Sequence, residues 1–212
     1  LLRDVSHELR SPLTRAQLAI ALEQRQGGGA QLPRLQQELE RVDQLLGELL
    51  TFSRLDAGQY QLQRQDVDLY ELVEEIIAVN QLEADQKQLK VTLNGSNPCP
   101  LYIEPKLLAR AIENILRNAI RYSPAGAVVR LDGRREEGFW HLWIEDQGPG
   151  VAPDQLETIF RPFTRLSAAR PGGDGFGLGL AIARSMLRLQ GGEVWAENAP
   201  IGLRLHVRLA IV

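Results

Sequence analysis

Apolar positions near the start of the chain recur at helical spacing. Val5, Leu9, Leu13, Ala16 and Ile20 lie 4, 4, 3 and 4 residues apart, which is one stripe of an amphipathic helix. Pro12 falls inside that stripe. It offers no N–H to the carbonyl of Glu8 and its ring crowds that carbonyl, so a bend just after His7 is expected. Gly27-Gly28-Gly29 ends the helix. Leu32, Leu35, Leu39, Val42, Leu46 and Leu49 then repeat at 3, 4, 3, 4 and 3, a heptad seam that Leu45 and Leu50 widen. Two helices with a short connection predict an antiparallel hairpin. A lone hairpin leaves such wide stripes uncovered. The simplest cover is a second copy, giving a dimeric four-helix bundle; the other is the chain's own C-terminal half.

The pattern changes near residue 65, where β-rich runs and most of the glycines begin. An amphipathic helix is predicted over 69–86, a strand over 89–93 and a short strand over 101–103. Glu104-Pro105-Lys106 closes that strand, and Pro105 suits the first turn of a helix reaching about Tyr122. Strands are predicted over 128–131 and 139–145, a helix over 178–190, and final strands over 193–197 and 203–209. Helices alternating with mostly hairpin-linked strands predict an α+β domain, helices layered on a mixed sheet. The domain boundary is placed between 1–65 and 66–212.

Composition narrows the classes. The chain has 212 residues, 44% apolar and 24% charged, the range of an ordinary globular protein rather than a disordered or collagenous one. A formal net charge of −3 gives no general attraction to nucleic acid. Cys99 is the only cysteine, which rules out an internal disulfide and a cysteine-based zinc site. No apolar run approaches the ~20 residues of a membrane helix. The chain opens at Leu1 with a helical pattern already running at Val5, so it is read as a piece of a longer protein.

Four constellations carry candidate chemistry. In the first, Ser6-His7-Glu8-Leu9-Arg10-Ser11-Pro12-Leu13-Thr14, residues His7, Arg10 and Ser11 share a helix face. Glu8 follows His7 directly; by accepting one ring N–H it would leave the other nitrogen as a nucleophile. The second lies on the 105–122 helix, where Arg110, Asn114, Asn118 and Arg121 fall together, opposite Leu108, Ile112, Ile115 and Ala119. Asparagine oxygens suit a hard cation such as Mg²⁺. The third, Asp146-Gln147-Gly148-Pro149-Gly150, follows an apolar strand; its carboxylate can accept from an exocyclic amine, and its glycines allow a tight turn against a ligand. The fourth, Gly172 to Leu180, runs into a helix whose free N–H groups suit phosphate. It is neither a Walker A loop nor GxGxxG, since the lysines are Lys87, Lys90 and Lys106 only. Each segment alone also reads as an ordinary polar face, turn or loop.

Together, in this order, they resemble the two-component sensor histidine kinases. SHELRSPLT resembles the H box, Asn114 through Tyr122 the N box, Asp146-x-Gly148-x-Gly150 the G1 box, Phe160 through Arg165 the F box and Gly175-x-Gly177-x-Gly179 the G2 box. The H and N boxes are most similar to those of Cpx-type envelope-stress sensor kinases. The resemblance implies an N-terminal dimerisation and phosphotransfer hairpin followed by a Bergerat-type (GHKL) α/β sandwich that binds ATP and Mg²⁺. It makes His7 the phosphoacceptor, Glu8 its assisting base, and Asn118 the Mg²⁺ ligand with Asn114 beside it. Tyr122 then borders the adenine, Asp146 accepts from its amino group, and Arg121 and Arg165 face the phosphates. Gly148, Gly150, Gly175, Gly177, Leu178, Gly179 and Leu180 complete the ATP-binding set, and the lid spans Thr164 to Asp174. Ser11 stands where members usually carry Thr or Asn and is expected to support dephosphorylation of the regulator. Arg161-Pro162 stands where many members have an acidic residue and Arg, so lid anchoring is expected to differ.

The implied function is an ATP-dependent protein-histidine kinase acting as a homodimer. It would pass phosphoryl to an aspartate of a response-regulator receiver domain, as the cytoplasmic portion of a bacterial inner-membrane sensor whose membrane segment this chain lacks. Three other readings remain open, of which a GHKL serine kinase is opposed by the complete H box. A GHKL ATPase would use an acid in the N-box helix such as Glu113 and hydrolyse ATP without forming phosphoprotein. A pseudokinase serving as a dimeric interaction module would not bind ATP.

Overall fold

The structure, a computed structural model, describes residues 2–26, 29–58, 60–95, 98–165 and 175–211, with residues 2–7 and 26 by backbone alone. Two compact units divide at residues 54 and 55.

The N-terminal unit is a helical hairpin of α1 (Leu2–Gln26) and α2 (Leu32–Asp56). α1 continues through Pro12 as one helix. The Glu23 carboxylate closes the connection, accepting the N–H groups of Gly29 and Gln31 at 2.5 and 3.0 Å. Midway along the hairpin Arg15 Nε donates to Glu38 Oε1 at 2.8 Å, and this partner holds the buried Glu38 carboxyl below the usual range. The apolar stripes divide in a way their spacing does not show. Pro12, Ala16, Ala19 and Leu45 are buried, while Leu13, Ile20, Leu32, Leu39, Leu46 and Leu50 are exposed. Much of the seam therefore faces away from the hairpin's own interior.

In the C-terminal unit β1 (Gln65–Asp68) pairs antiparallel with β3 (Pro100–Ile103). β1 was not expected from its sequence. Asp68 ends it and caps α3 (Leu69–Gln86), accepting the Tyr70 N–H at 2.8 Å. The main sheet has the order β2-β4-β5-β7-β6, from β2 (Lys90–Asn94), β4 (Val128–Glu136), β5 (Phe139–Glu145), β6 (Glu193–Asn198) and β7 (Leu203–Ala210). β2 and β4 are parallel and the remaining pairs antiparallel. α4 (Pro105–Tyr122) and α5 (Gly179–Leu189) pack on each other, and α3, α4 and α5 all pack on the sheet.

Strand alternation decides which face the helices cover. Trp140, Leu142, Ile144, Leu205 and Val207 are buried in the helix-covered core. Their alternates form the other face, where the His141, His206 and Trp195 rings stack, Trp195 and His206 at 4.7 Å and 1°. α4 starts where the sequence placed it because Glu104 caps it, accepting the Lys106 N–H, with Pro105 in the first turn.

Candidate functional site

α4 supplies the first wall. Leu108, Ile112, Ile115 and Ala119 are buried and hold it on the sheet, while Asn114, Asn118, Arg121 and Tyr122 are half-buried on the opposite side and Arg110 is exposed. The Asn114 and Asn118 side-chain amides, one turn apart, make no hydrogen bond to any described residue. Half-buried amides without partners among the described residues are ready to take a ligand or an ion.

The glycine-rich segment passes this wall. A Cβ on Gly179 would lie 3.9 Å from the Asn114 amide, and one on Gly175, at φ +129°, would collide with the Arg121 guanidinium. Glycine suits this backbone conformation, which strains other residues, and leaves room for the end of the Arg121 side chain. Gly177, at φ +72°, is pressed against the Phe163–Thr164 backbone in the same way. Leu178 and Leu180 place their side chains in the core, so they contribute backbone only. α5 starts at Gly179 without a side-chain cap, which leaves its first N–H groups and the positive end of its dipole open to an anion.

Asp146 forms the third wall, at the end of β5, and is 3% exposed. Its Oδ1 accepts the N–H groups of Gly148 at 2.8 Å and Leu203 at 3.2 Å, while Oδ2 has no hydrogen bond to a described residue. Burial pushes this carboxyl above its usual range, against the two backbone donors. The turn around it cannot widen. A Cβ on Gly148 would meet Asp146 Oδ1 and the Tyr122 carbonyl, each at 2.9 Å, and one on Gly202 would collide with the Asp146 carbonyl. Gly150, at φ +70°, lies against Asn198, whose amide accepts from the Val151 N–H and donates to the Val151 carbonyl. Gly202, Leu203 and Asn198 were missed in the sequence reading; the turn-forming Pro200-Ile201-Gly202 was the available signal.

The F box continues from two 3-10 turns at Pro153–Gln155 and Thr158–Phe160. Arg161 is exposed. Arg184 of α5 donates twice to Glu157, at 2.8 Å for Nη2, and stacks 4.1 Å over the Phe160 ring. Phe163 takes a left-handed φ of 61°, uncommon without glycine. Arg165 is exposed at the edge of the described chain, and residues 166–174 of the expected lid lie outside it.

In the hairpin unit His7 lies on α1, described by its backbone, with Glu8 next to it and half-buried. Ser11 is exposed, and its Oγ accepts from Arg15 Nη1 at 2.6 Å. The same guanidinium is held by Glu38, so the hydroxyl is tied through Arg15 to the facing helix.

A helical hairpin joined to a domain with three helices on one face of a mixed sheet, with an asparagine helix, a buried aspartate turn and a glycine-rich helix start converging, defines a phosphoacceptor–ATPase architecture. Residues 103–211 match the histidine kinase-, DNA gyrase B- and HSP90-like ATPases, and residues 1–58 match the His Kinase A phospho-acceptor domain. The chain belongs to the histidine kinase-, DNA gyrase B- and HSP90-like ATPases and carries a His Kinase A phospho-acceptor domain ahead of that domain. It is 43% identical over 215 residues to the sensor protein PfeS of Pseudomonas aeruginosa, covering 99% of this chain and 46% of that one. Against the sensor histidine kinase CpxA of Escherichia coli it is 40% identical over 219 residues, covering 100% of this chain and 46% of that one. It thus spans under half the length of either relative. The solved histidine kinase AdeS of Acinetobacter baumannii superposes with a TM-score of 0.80 at 25% identity, over 97% of this chain and 98% of that one. Full-length ShkA, solved with AMPPNP, superposes at 0.73 and 28% identity, over 100% of this chain and 46% of that one.

Proposed function

We propose that this chain is the cytoplasmic kinase portion of a bacterial inner-membrane sensor, with a dimerisation and phosphotransfer domain over 1–65 and an ATP-binding domain over 66–212. The observation that carries the reading is a set of three polar groups without hydrogen-bond partners among the described residues, the amides of Asn114 and Asn118 and Oδ2 of Asp146, in the domain that also carries an uncapped helix start. An amide pair, a buried acceptor and a cluster of free N–H groups match in turn a hard cation, an exocyclic amine and a phosphate chain.

In this reading Asp146 Oδ2 accepts from the adenine amino group and Tyr122 borders the ring. Asn118, with Asn114 beside it, would hold Mg²⁺, which when bound spreads the negative charge of the phosphates. The α5 N-terminus, with Gly175, Gly177 and Gly179, receives the phosphate chain, and Arg121 and Arg165 face it. A ring nitrogen of His7 attacks the γ-phosphorus; the N–P bond forms as the bond to the β-phosphate oxygen breaks, and ADP leaves. Glu8 takes the ring proton. The phosphoryl group then passes to an aspartate of a receiver domain. Catalysis of this kind rests on positioning and charge neutralisation.

Support for the homodimer comes from the exposed leucine seam of α2, and the homologous sensor proteins support the membrane origin. The test is incubation with γ-labelled ATP. Acid-labile label is expected on the wild type and absent from His7→Ala. Undiminished label on His7→Ala, or ATP hydrolysis with no phosphoprotein, would reject the kinase assignment.

A further inference from the structure

We infer that Lys87, at the end of α3, is a positioning residue for the adenine edge of the nucleotide site; this rests on the nucleotide reading above.

α4 ends directly at the site. Its last carbonyls have no helical donors, and no glycine follows to wrap them, since Ser123 turns extended at φ −64° and ψ 138° and its N–H reaches only Ala119. Lys87 takes over this end. Its Nζ donates to the carbonyls of Ile120 at 2.9 Å, Arg121 at 2.6 Å and Ser123 at 3.2 Å. An ammonium has three donors, and three carbonyls of one helix end receive them. The charge also sits at the negative pole of the α4 dipole.

Both sides of this tie are themselves fixed. The Lys87 N–H bonds back to the Ala84 and Asp85 carbonyls as the cap of α3, and its carbonyl accepts the Gly126 N–H at 3.2 Å. Beyond the tied turn, the Tyr122 carbonyl abuts Gly148, whose N–H donates to Asp146. Arg121 reaches Gly175 and lies 5.7 Å over the Tyr122 ring. The place of the last α4 turn is therefore transmitted to Asp146 by backbone packing, whereas the glycine loop meets only the flexible end of Arg121. Asn118 and Asn114 lie one and two turns back, held by the apolar side of α4, and do not depend on this tie. Loss of Lys87 should loosen adenine recognition and leave phosphate chemistry intact.

The test uses the whole chain with ADP·Mg²⁺ as the calorimetric probe and autophosphorylation for kinetics. Lys87→Met keeps the apolar stem and removes the donors. Its expected effect is an ADP affinity lower by about tenfold, the scale of hydrogen bonds from a charged group. KM for ATP should rise to match, with kcat within twofold of wild type. Lys87→Arg, which restores donors, should recover most of the affinity. A general loss of structure would lower kcat too and would not be mended by arginine. The inference is overturned if folded Lys87→Met binds ADP as wild type does, or if kcat falls while KM stays. Should Lys87→Met fail to fold, Lys87→Arg and Lys87→Gln decide it: wild-type ADP affinity in the glutamine variant overturns the proposal, and a loss in glutamine but not arginine supports it. An Asp146→Asn control separates the two readings. If wild type itself does not bind ADP, the nucleotide assignment has failed; if only Lys87→Met is without effect, the positioning role alone has.

Discussion

Asp146→Asn should separate stability from nucleotide recognition. The native carboxyl is buried at the end of β5, and burial raises its pKa above the unfolded value. A group raised in the folded state contributes stability below its unfolded pKa and loses it as pH rises through the folded one. Above the folded pKa the ionised carboxylate is therefore a destabilising feature relative to a neutral isostere. Asparagine keeps the Oδ1 acceptor for the Gly148 and Leu203 N–H groups and replaces Oδ2 by a donor. The unliganded variant should melt at or above the wild-type temperature. Adenine binding should suffer twice, since the acceptor is gone and two donors now face each other. A hydrogen bond to a charged group contributes about 1.5–3 kcal/mol, so ADP affinity should fall roughly 10- to 150-fold. Calorimetry with ADP and thermal unfolding of the unliganded chain measure the two halves. Unchanged affinity in the folded variant would refute the adenine assignment. A melting temperature lower by more than about 4 °C, which exceeds 1 kcal/mol for a domain of this size, would refute the burial argument.

The paired substitution Leu39→Asp with Leu46→Asp places charges in the exposed seam of α2 and should abolish the dimer, because a charge buried without a partner is strongly unfavourable; light scattering that shows an unaltered dimer would count against the four-helix bundle. Ser11→Ala should lower dephosphorylation of a purified phospho-regulator and spare labelling at His7, and Ser11→Thr should preserve or raise it; an unchanged dephosphorylation rate in Ser11→Ala returns this residue to a structural role through Arg15. On the open sheet face, burial lowers the pKa of His206, against the pull of Glu197. His206 Nδ1 shares a hydrogen bond with His141 Nε2 at 2.9 Å, and its Nε2, 3.1 Å from Glu197 Oε1, lacks hydrogen-bond geometry. A histidine lowered in the folded state contributes stability above its unfolded value of about 6.5 and loses it as pH falls below that. Thermal midpoints should therefore drop from pH 7 to pH 5, less steeply in His206→Phe, which keeps the stack on Trp195; equal slopes would discard His206 as the cause.

Elements whose order is set along the chain were legible from the chain. α3 and β5 start and stop where period, caps and turn residues placed them, because each signal lies within one or two turns of the residues it governs. The polar face of α4 was legible for the same reason, since a wheel needs only spacing. β1 was not. Gln65-Asp66-Val67-Asp68 has no pattern of its own and is a strand because Pro100–Ile103 lies beside it. The hairpin stripe shows the same limit: spacing grouped Leu13, Ala16 and Ile20, yet only packing on α2 decides that Ala16 is buried and the other two exposed.

At the site, the motif residues and their order came from the sequence alone, and their condition did not. That Asp146 is buried with one oxygen satisfied depends on Leu203, that Arg121 lies against the loop depends on the absence of a side chain at Gly175, and that the carbonyls at the end of α4 meet a cation depends on Lys87. These partners are 57, 54 and 34 residues away in the chain. A hydrogen-bond partner or a close approach between distant segments leaves no periodic trace in either one, so only the tertiary structure could decide it.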